Sequence, residues 1–348
     1  MKKNTFFLLI IFVVCVIALS IPILMRKNLT NGFKRNFINP HLKLIRQIEF
    51  QDFSFLAWKP DEDIWLKSRK RHFILLNIDS SLQKSKELKL EIPREFDAER
   101  RNYYYSNIDS IVYVTNEAGE IVKLSKVKSS FFKMPNIKFD DPSAISHNSI
   151  VVRIFLKHKQ KTILAIAKIA INNKAEIQKK YILPDQTEGI FSSDGILQYD
   201  KVNSKIYYAF YRKGEFLCLD TNLNLLYKAK TIDTVRFAKL KIGIYKDKSK
   251  GKTVDKRTLQ NSFDKVNGYF TTNNDKLYIH SLLKADNQSI SDFSNNSAID
   301  VYSLKDGEYL YSFLIPKYMG SKIGKFSISG TVILAMYRHS IVKYMFSQ

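Results

Sequence analysis

The sequence contains little cysteine, glycine or proline. Its 348 residues include 2 Cys, 12 Gly and 8 Pro. Two cysteines cannot hold together a small disulfide-rich domain, and so few glycines and prolines exclude a collagen-like fibre or a low-complexity disordered chain. The hydrophobic fraction of 45% and the aromatic fraction of 13% are sufficient to fill a sizeable core. We therefore expect one large domain or two smaller ones, rich in strands because Tyr and Phe favour them.

The sequence also lacks the short motifs that identify enzyme classes. It contains no HExxH zinc motif, no GxSxG nucleophile elbow, no P-loop and no GxGxxG, and its six histidines have no metal-ligand spacing. Cys15 lies in an apolar run, and Cys218 lies in the alternating segment FLCLD, where we expect a small buried hydrophobe. We therefore predict no cofactor and no redox pair within one chain, and we assign no metal ligands. Spacing rules leave open a metal held by side chains that are distant in sequence.

Negative charge is scarce, since 33 acidic residues face 56 basic ones and the formal net charge is +23. Such a balance attracts phosphate nonspecifically, but the lysines are spread over nearly every segment, which argues against a nucleic-acid partner. The densest basic stretch is KIGIYKDKSKGKTVDKR, residues 241–257, within a Lys-rich insertion near 235–262. It has no apolar periodicity and is predicted to be an exposed loop that favours anionic surfaces.

The N-terminus carries an almost unbroken apolar run over residues 6–25, preceded by two lysines and closed by Arg26 and Lys27. Twenty such residues span about 30 Å as a helix. We predict an uncleaved signal-anchor, a transmembrane helix within residues 1–27. The alternative is a cleaved secretory signal with Ala18 and Ser20 near the cleavage site. Both alternatives place the rest of the chain outside the cytoplasm.

After residue 30 the sequence repeats a unit of four short alternating strands separated by polar turns. Several units end in an apolar residue followed by proline, which is typical of an edge strand because proline removes a ladder donor. Five complete units are predicted near 52–93, 101–135, 143–184, 189–233 and 265–316. A sixth unit at the C-terminus has only three strands.

The segment HLKLIRQIEF, residues 41–50, has no other partner and can supply the missing strand by pairing with residues 340–346. Closing a ring in this way removes the open sheet edges. We therefore predict an all-β fold, a six-bladed β-propeller with four-stranded antiparallel blades over residues 41–348, preceded by a linker over 28–40. The alternative is a β-sandwich or two stacked β domains, which share the short strands but not the four-strand repeat.

Two stretches of the chain resemble a known family. They are EGIFSSDGILQYDKVNSKIYYAFYRKGEFLCLDTNLNLLYKAKTIDT, residues 188–234, and NSAIDVYSLKDGEYLYSFLIP, residues 296–316. They resemble uncharacterised bacterial envelope proteins with a TolB-like six-bladed β-propeller. The resemblance covers most of the chain after residue 35 and is weaker in the first two blades. It implies this fold and an N-terminal membrane segment in a bacterial cell envelope, and it carries no catalytic residue.

The first strand of each blade faces the central channel of a propeller. We assign these strands to 53–58, 102–107, 143–148, 189–195, 267–273 and 325–330. Their polar members are the predicted binding residues at the funnel mouth: Tyr103, Tyr105, His147, Ser193, Asp194 and Asn273. The competing interpretation is structural, since such residues also cap turns and bind channel water.

One pair among these residues has the types needed for acid and base chemistry. His147 and Asp194 are predicted on adjacent blades, where a carboxylate can orient an imidazole, although simple hydrogen bonding is the more frequent role of such residues. Asp140 and Asp141 precede Pro142 in a predicted loop between blades. Two carboxylates are few for a cation, so a solvated turn is expected there.

Two classes of function remain open. The first, which the sequence favours, is a non-catalytic binding or scaffold module for a protein or peptide partner, anchored in the inner membrane with its propeller in the periplasm. If the signal is cleaved, the propeller is secreted to the periplasm. The second is a hydrolase or lyase that uses polar or metal-binding residues in the central channel. The oligomeric state is left open by the sequence.

Overall fold

A computed structural model describes residues 30–57, 63–83, 85–97, 102–125, 128–158, 161–184, 189–238, 242–249, 252–259 and 265–347. These residues form 26 strands and one short α-helix. The strands build six four-stranded antiparallel sheets and a separate two-stranded hairpin. The predicted six-bladed β-propeller is confirmed, and the β-sandwich alternative is wrong.

The first three blades are meanders of consecutive strands. The strand β1 (His41–Glu49) precedes them and belongs to the last blade. Blade I contains β2 (Phe53–Ala57), β3 (Ile64–Ser68), β4 (Ile74–Ile78) and β5 (Ser85–Lys89). Blade II contains β6 (Tyr103–Ile108), β7 (Ile111–Asn116), β8 (Glu120–Leu124) and β9 (Ser129–Lys133). Blade III contains β10 (Phe139–Ser146), β11 (Ser149–His158), β12 (Lys161–Ile171) and β13 (Ala175–Ile182).

The second half of the ring contains two more meanders, an inserted hairpin and the closing blade. Blade IV contains β14 (Gly195–Asp200), β15 (Lys205–Phe210), β16 (Glu215–Asp220) and β17 (Leu225–Lys230). The hairpin consists of β18 (Ile242–Ser249) and β19 (Lys252–Leu259). Blade V contains β20 (Asn267–Asn273), β21 (Lys276–Ser281), the helix α1 (Ile290–Asn295), β22 (Asn296–Ser303) and β23 (Tyr309–Pro316). Blade VI contains β24 (Lys325–Ser329), β25 (Val332–Met336) and β26 (Ser340–Ser347), together with β1.

The N-terminal strand closes the ring. β1 pairs antiparallel with β26, from His41 opposite Ser347 to Glu49 opposite Ser340, with one irregularity between Leu44 and Arg46. The predicted pairing of the segment near 41–50 with the last strand is therefore confirmed. Because β26 is bonded to both β25 and β1, neither of its edges is left free along this register.

Six clusters of buried apolar side chains lie between the blades, one at each junction. The junction between blades VI and I is like the others, since Leu334 and Ile341 pack with Ile64 and Leu66, and Ile48 of β1 contacts this cluster. A sandwich would have one core between two sheets. A closed series of clusters around an axis is the arrangement of a propeller.

The strand order defines two faces of the ring. Blades I to V are four-stranded meanders, and in blade VI β1 takes the direction of a fourth strand because it is antiparallel to β26. In each blade the outermost strand therefore ends on the face where the innermost strand began, and all six innermost strands begin on that same face. We call this the upper face; it carries the connections between blades and between second and third strands. The lower face carries the turns that join first to second and third to fourth strands.

Two sequence predictions of local structure are wrong. Residues 189–195 were predicted as the innermost strand of blade IV, but Gly189–Phe191 form a turn of 3-10 helix, and the innermost strand is β14. The first residue of this strand, Gly195, packs closely against β15: a Cβ at this position would lie 2.3 Å from the carbonyl oxygen of Ala209, so only glycine fits. The Lys-rich stretch predicted as a loop contains the paired strands β18 and β19.

Part of the predicted linker packs on blade V through one buried arginine. Arg35 donates from Nε and Nη2 to the Asp300 carboxylate at 2.6 and 3.1 Å, and from Nη2 to Ser281 Oγ at 2.7 Å. Its Nη1 donates to the Leu283 carbonyl and to Gln288 Oε1. All five N–H groups of this guanidinium are thereby satisfied, which offsets the cost of burying its charge.

The predicted signal-anchor, residues 1–27 with the apolar run 6–25, lies outside the described residues. Within the described ranges, no helix combines the length and apolarity of a membrane span. The hydrophobic helix at the N-terminus therefore stays a prediction from the sequence. Cys218, in contrast, lies in β16 and is fully buried, as predicted.

Ring closure by β1 can be tested with two aspartates on one strand. Ile48 packs against the cluster between blades VI and I, whereas Ile45 lies at the irregularity of β1 and is 43% exposed. Ile48→Asp is expected to lower the free energy of unfolding by about 2–3 kcal/mol, since it places a carboxylate against apolar side chains. Ile45→Asp is expected to change it by less than about 0.5 kcal/mol. Equal effects in urea denaturation would contradict closure by this strand.

A buried histidine makes stability depend on pH. Burial lowers the pKa of His280 to about 4 from 6.5, and the charges of Lys322 and Arg35 act in the same direction. Between these values the unfolded chain binds a proton that the folded chain does not, so stability falls as the pH falls through this window. This contribution is about 3 kcal/mol. The unfolding free energy of His280→Gln, measured at pH 7 and pH 4, should fall less than that of the wild type. An identical fall would refute the assignment.

Candidate functional site

The innermost strands surround a channel with a cavity of about 360 Å³. Its lower end is bordered by exposed turn residues, among them Asp109 and Lys201, whose side chains are 44% and 45% exposed. Its upper end is formed by Asp141, Tyr269 and Lys325. The cavity thus extends from an open mouth on the lower face towards the upper end of the innermost strands.

The wall of the cavity combines aromatic and polar side chains. Trp65 of β3 and Tyr105 of β6 lie on one side, and Gln198 and Tyr199 of β14 lie on the other. Gln198 is held by a hydrogen bond of 2.8 Å from its Nε2 to the carbonyl oxygen of Phe270. Aromatic side chains beside amides and hydroxyls are typical of surfaces that bind peptide segments.

The inner end of the cavity is a low-dielectric environment. Burial raises the pKa of Asp141, while the charges of Arg153 and Lys325 oppose this shift, and Asp141 Oδ2 accepts a hydrogen bond of 2.9 Å from the Leu197 amide. Burial lowers the pKa of Lys325, whose Nζ lies 5.2 Å from the centre of the Tyr269 ring. It also lowers the pKa of Lys67. Charged ligands therefore meet positive and negative groups that are both poorly solvated.

The mouth carries an ionic cluster that joins three blades. Asp109 lies between β6 and β7, His147 between β10 and β11, and Lys201 between β14 and β15. The carboxylate of Asp109 lies 3.0 Å from His147 Nε2 and also accepts a hydrogen bond from Lys201 Nζ. These two bonds lower the pKa of Asp109, the one from Lys201 most. We call these three residues the rim cluster.

A second ionic cluster lies nearer the upper face. Arg153 of β11 donates to both carboxylate oxygens of Asp140 at 2.8 Å, and its Nη1 donates to Asp194 Oδ1 at 2.5 Å and to the Gly195 carbonyl at 2.7 Å. Arg212 Nη1 lies 3.4 Å from the other oxygen of Asp194. This arrangement fastens blade III to the start of blade IV. The charged groups of this cluster pair with one another and join the two blades.

The structure does not bring His147 and Asp194 together. His147 lies in a lower-face turn and pairs with Asp109, whereas Asp194 immediately precedes β14 at the upper face and pairs with Arg153. Adjacent blades were correctly inferred, but the innermost strands separate the two side chains. The acid and base pair considered from the sequence does not form.

The other predicted binding residues have different environments. Tyr103 and Tyr105 are 9% and 8% exposed and pack in the core between blades I and II, where Tyr103 Oη lies 3.0 Å from His72 Nδ1. Tyr105 also contributes to the cavity wall. Ser193 is fully buried, and its carbonyl accepts a hydrogen bond from Tyr208. Asn273 ends β20 at the lower face and is partly exposed.

The acidic pair before Pro142 is not a solvated turn between blades. Asp140 and Asp141 lie within β10, where the register with β11 shifts between Asp140 and Ser143. The side chain of Asp140 is 15% exposed and is bound by Arg153. Over the parts of the chain with described coordinates, no three His, Cys, Asp or Glu side chains form a group able to hold a metal ion.

Sequence reasoning missed the cations that organise the channel, Arg153, Lys67 and Lys325. A signal for the first was present, because Arg153 interrupts the apolar run SIVVRIFL of a central strand. A charge in such a strand requires a buried partner. Nothing in the local sequence of Lys67 or Lys325 distinguishes them from the many solvated lysines of this chain.

Comparison with solved structures agrees with the fold. A member of the DUF4221 family from Bacteroides vulgatus is similar with a TM-score of 0.51 and 12% identity, covering 90% of this chain and 99% of that one. Streptogramin B lyase has a TM-score of 0.47 at 11% identity over 90% and 98% of the two chains. BamB from Moraxella catarrhalis has a TM-score of 0.41 at 9% identity over 88% and 98%. At 12% identity, the likeness to the DUF4221 family member shows the fold alone.

No protein-family model matches the sequence, and no curated protein matches it. The chain is therefore described by its class, a six-bladed β-propeller. The TolB-like assignment remains a resemblance in two stretches of sequence.

The upper cluster can be tested by removing its central cation. Arg153→Gln leaves Asp140 buried without its bidentate partner and is expected to lower the unfolding free energy by about 3–5 kcal/mol at pH 7. Burial raises the pKa of Asp140, and loss of Arg153 removes the opposing effect. The destabilisation should therefore shrink as the pH falls and the carboxyl becomes protonated.

Lys157→Gln is the matched control, since Lys157 lies on the same strand and is exposed. Its unfolding free energy should change by less than about 0.5 kcal/mol. A loss in Arg153→Gln no larger than this control would show that the cluster does not fasten the blades.

Proposed function

We propose that this chain is a non-catalytic binding module that holds a segment of a protein or peptide partner at the lower mouth of its channel. The observation that supports this most is the cavity of about 360 Å³ that extends inward from exposed lower-face turns. A volume of this size suits a few side chains or a short chain end. The rigid ring positions the cavity, and the turns at its mouth can vary without unfolding it.

The composition of the cavity supports a polypeptide partner. Trp65 and Tyr199 offer flat apolar surfaces, Gln198 offers amide contacts, and Lys67 lies in the wall between them and the inner end. Aromatic anchors with adjacent polar groups provide much of the energy in peptide recognition. The rim cluster adds fixed charges of both signs at the mouth, which favours a partner with charged and polar groups of its own.

The ionisable groups of the site argue for binding over catalysis. Catalysis by a hydrolase or lyase requires a nucleophile or metal beside a positioned base. His147 is paired with Asp109 at an exposed rim, and Asp194 is paired with Arg153 and Arg212. Both candidates thus take part in ionic clusters that join neighbouring blades, and the hydrolase or lyase alternative is the weaker proposal.

We further propose that the propeller is tethered to the bacterial inner membrane by residues 1–27 and works in the periplasm. The supporting observation is the apolar run of residues 6–25 with basic flanks. The first described residues bind the upper face of blade V through Arg35. The tether then meets the ring at the face opposite the open mouth, which leaves that mouth free for a partner.

The proposal can be tested by filling the mouth with one side chain. Asn107 is exposed at the lower end of β6 and lines the cavity. Asn107→Trp in the full chain, captured from detergent-solubilised membranes of its own cells, is expected to lose at least about 90% of the partner recovered with the wild type. The indole would occupy the mouth, and a tenfold loss of affinity corresponds to only about 1.4 kcal/mol. Asn107→Ala should retain the partner, because only space is removed.

Asn173→Trp is the matched control, since Asn173 is exposed in an outer turn of the same face, between β12 and β13. It should recover the partner at the wild-type level. Full recovery with Asn107→Trp would exclude the mouth as the binding site. A second variant carries both His147→Ala and Asp194→Ala. If it folds and recovers the partner but no longer supports the function of the protein in cells, the enzyme alternative is favoured.

A further inference from the structure

The point at which the chain enters the described structure is fixed on the upper face. The Asn31 amide donates to Asp286 Oδ1 at 2.8 Å, and Asn31 Nδ2 donates to the Lys284 carbonyl at 2.8 Å. Thr234 Oγ1 donates to the Asn31 carbonyl at 2.6 Å. Residues 284 and 286 belong to the connection between β21 and β22, and Thr234 follows β17, so both contacts lie on upper-face connections.

This position limits how far the upper face can be from a bilayer. The predicted membrane segment ends at Met25, five residues before Thr30. A fully extended chain covers at most about 3.6 Å per residue, so the two positions lie within about 18 Å of each other. If residues 6–25 span the membrane, the upper face around Asn31 must lie close to its surface.

Two large exposed apolar side chains lie a few residues after the two residues whose side chains bind Asn31. Phe237 is 79% exposed and lies three residues after Thr234; Ile290 is 71% exposed and lies four residues after Asp286. Single exposed apolar residues are common on protein surfaces. Here both lie close in sequence to residues that hold the attachment point of a predicted membrane segment, and interfacial aromatic and aliphatic side chains contact lipid at such positions.

The Lys-rich hairpin is inserted between two strand ends of the upper face. It leaves the ring after β17 and returns before β20, and both of these strand ends are at the upper face. Its two strands contain five basic residues, Lys246, Lys248, Lys252, Lys256 and Arg257, against Asp247 and Asp255. Basic segments next to a membrane span are attracted to anionic lipid headgroups over about a Debye length.

We propose that Phe237, Ile290 and the hairpin β18–β19 form a membrane-facing patch that rests on an anionic lipid bilayer. The inference rests on the tether of the proposed function and adds to it a fixed orientation. The hairpin contacts headgroups, and the two apolar side chains enter the interface. The channel mouth then points away from the membrane.

The orientation can be measured with the full chain in nanodiscs of phosphatidylcholine, with or without phosphatidylglycerol. A fluorophore is attached at Phe237→Cys, or at Val202→Cys as the matched control, in a Cys15→Ala background. Cys218 is fully buried, and buried thiols react slowly with such labels. Val202 is 84% exposed and lies in a lower-face turn. Quenching by headgroup spin-labelled lipid reports distance from the bilayer surface.

We expect strong quenching at residue 237, greatest with phosphatidylglycerol, and none above background at residue 202. The double variant Lys246→Glu with Lys248→Glu should remove the effect of phosphatidylglycerol on residue 237. The control variant Lys174→Glu with Lys305→Glu, in lower-face turns, should leave it unchanged. Equal quenching at residues 237 and 202 would overturn the orientation. Quenching at residue 237 that changes neither with phosphatidylglycerol nor with the hairpin substitutions would overturn recognition of anionic lipid.

Flotation of the chain with vesicles in alkaline carbonate separates this inference from the proposed function. A chain that floats but shows equal quenching is tethered without resting on its upper face, so only the present inference fails. A chain that does not float has no membrane anchor, and both the tether and the orientation fail. Partner recovery through the channel mouth is measured independently of either result.

Discussion

The pairing of β1 with β26 is the constraint on which the rest of the molecule depends. A ring of radial sheets is stable only if its first and last blades bury apolar surface against each other, and here Leu334 and Ile341 do so against Ile64 and Leu66. Because β1 comes before blade I in the chain and pairs within blade VI, it ties the two ends of the ring together. The same N-terminal segment continues to Arg35 on blade V, so closure also fixes the face from which the preceding chain departs.

The repeat and the closure of this fold were predictable from the sequence. Both depend on the spacing of strands and turns, which can be read without knowing how the side chains pack. Strands of period two separated by turn residues mark the units, and a unit with three strands requires a fourth from elsewhere. The failures were local. The innermost strand of blade IV starts at Gly195, where the close approach of the Ala209 carbonyl leaves no room for a side chain. The alternation of apolar and polar residues does not reveal such a contact. The Lys-rich strands β18 and β19 carry no apolar pattern to reveal them.

The site was much less predictable than the fold. Which blades are adjacent followed from the repeat, but which end of each strand a residue occupies did not, and a misplaced start for blade IV put Asp194 on the same face as His147. Tyr103 and Tyr105 alternate with Tyr104 on β6, and the sequence could not indicate which side of the sheet packs against blade I. The partners of Arg153 lie on β10 and at the start of blade IV, so no local spacing encodes that cluster.

Native-state hydrogen exchange of the full chain tests the central claim, closure by the N-terminal strand, most directly. Amides in β1 that are bonded to β26 should open with the same free energy as those joining β26 to β25, because closure makes both pairings parts of one cooperative ring. As denaturant is added, the opening free energies of the β1 amides should therefore converge with those of the other blades at the same denaturant concentration. Exchange of β1 at a much lower opening free energy, with β25 and β26 still protected, would contradict the account, since it would mean that the ring persists without its N-terminal strand.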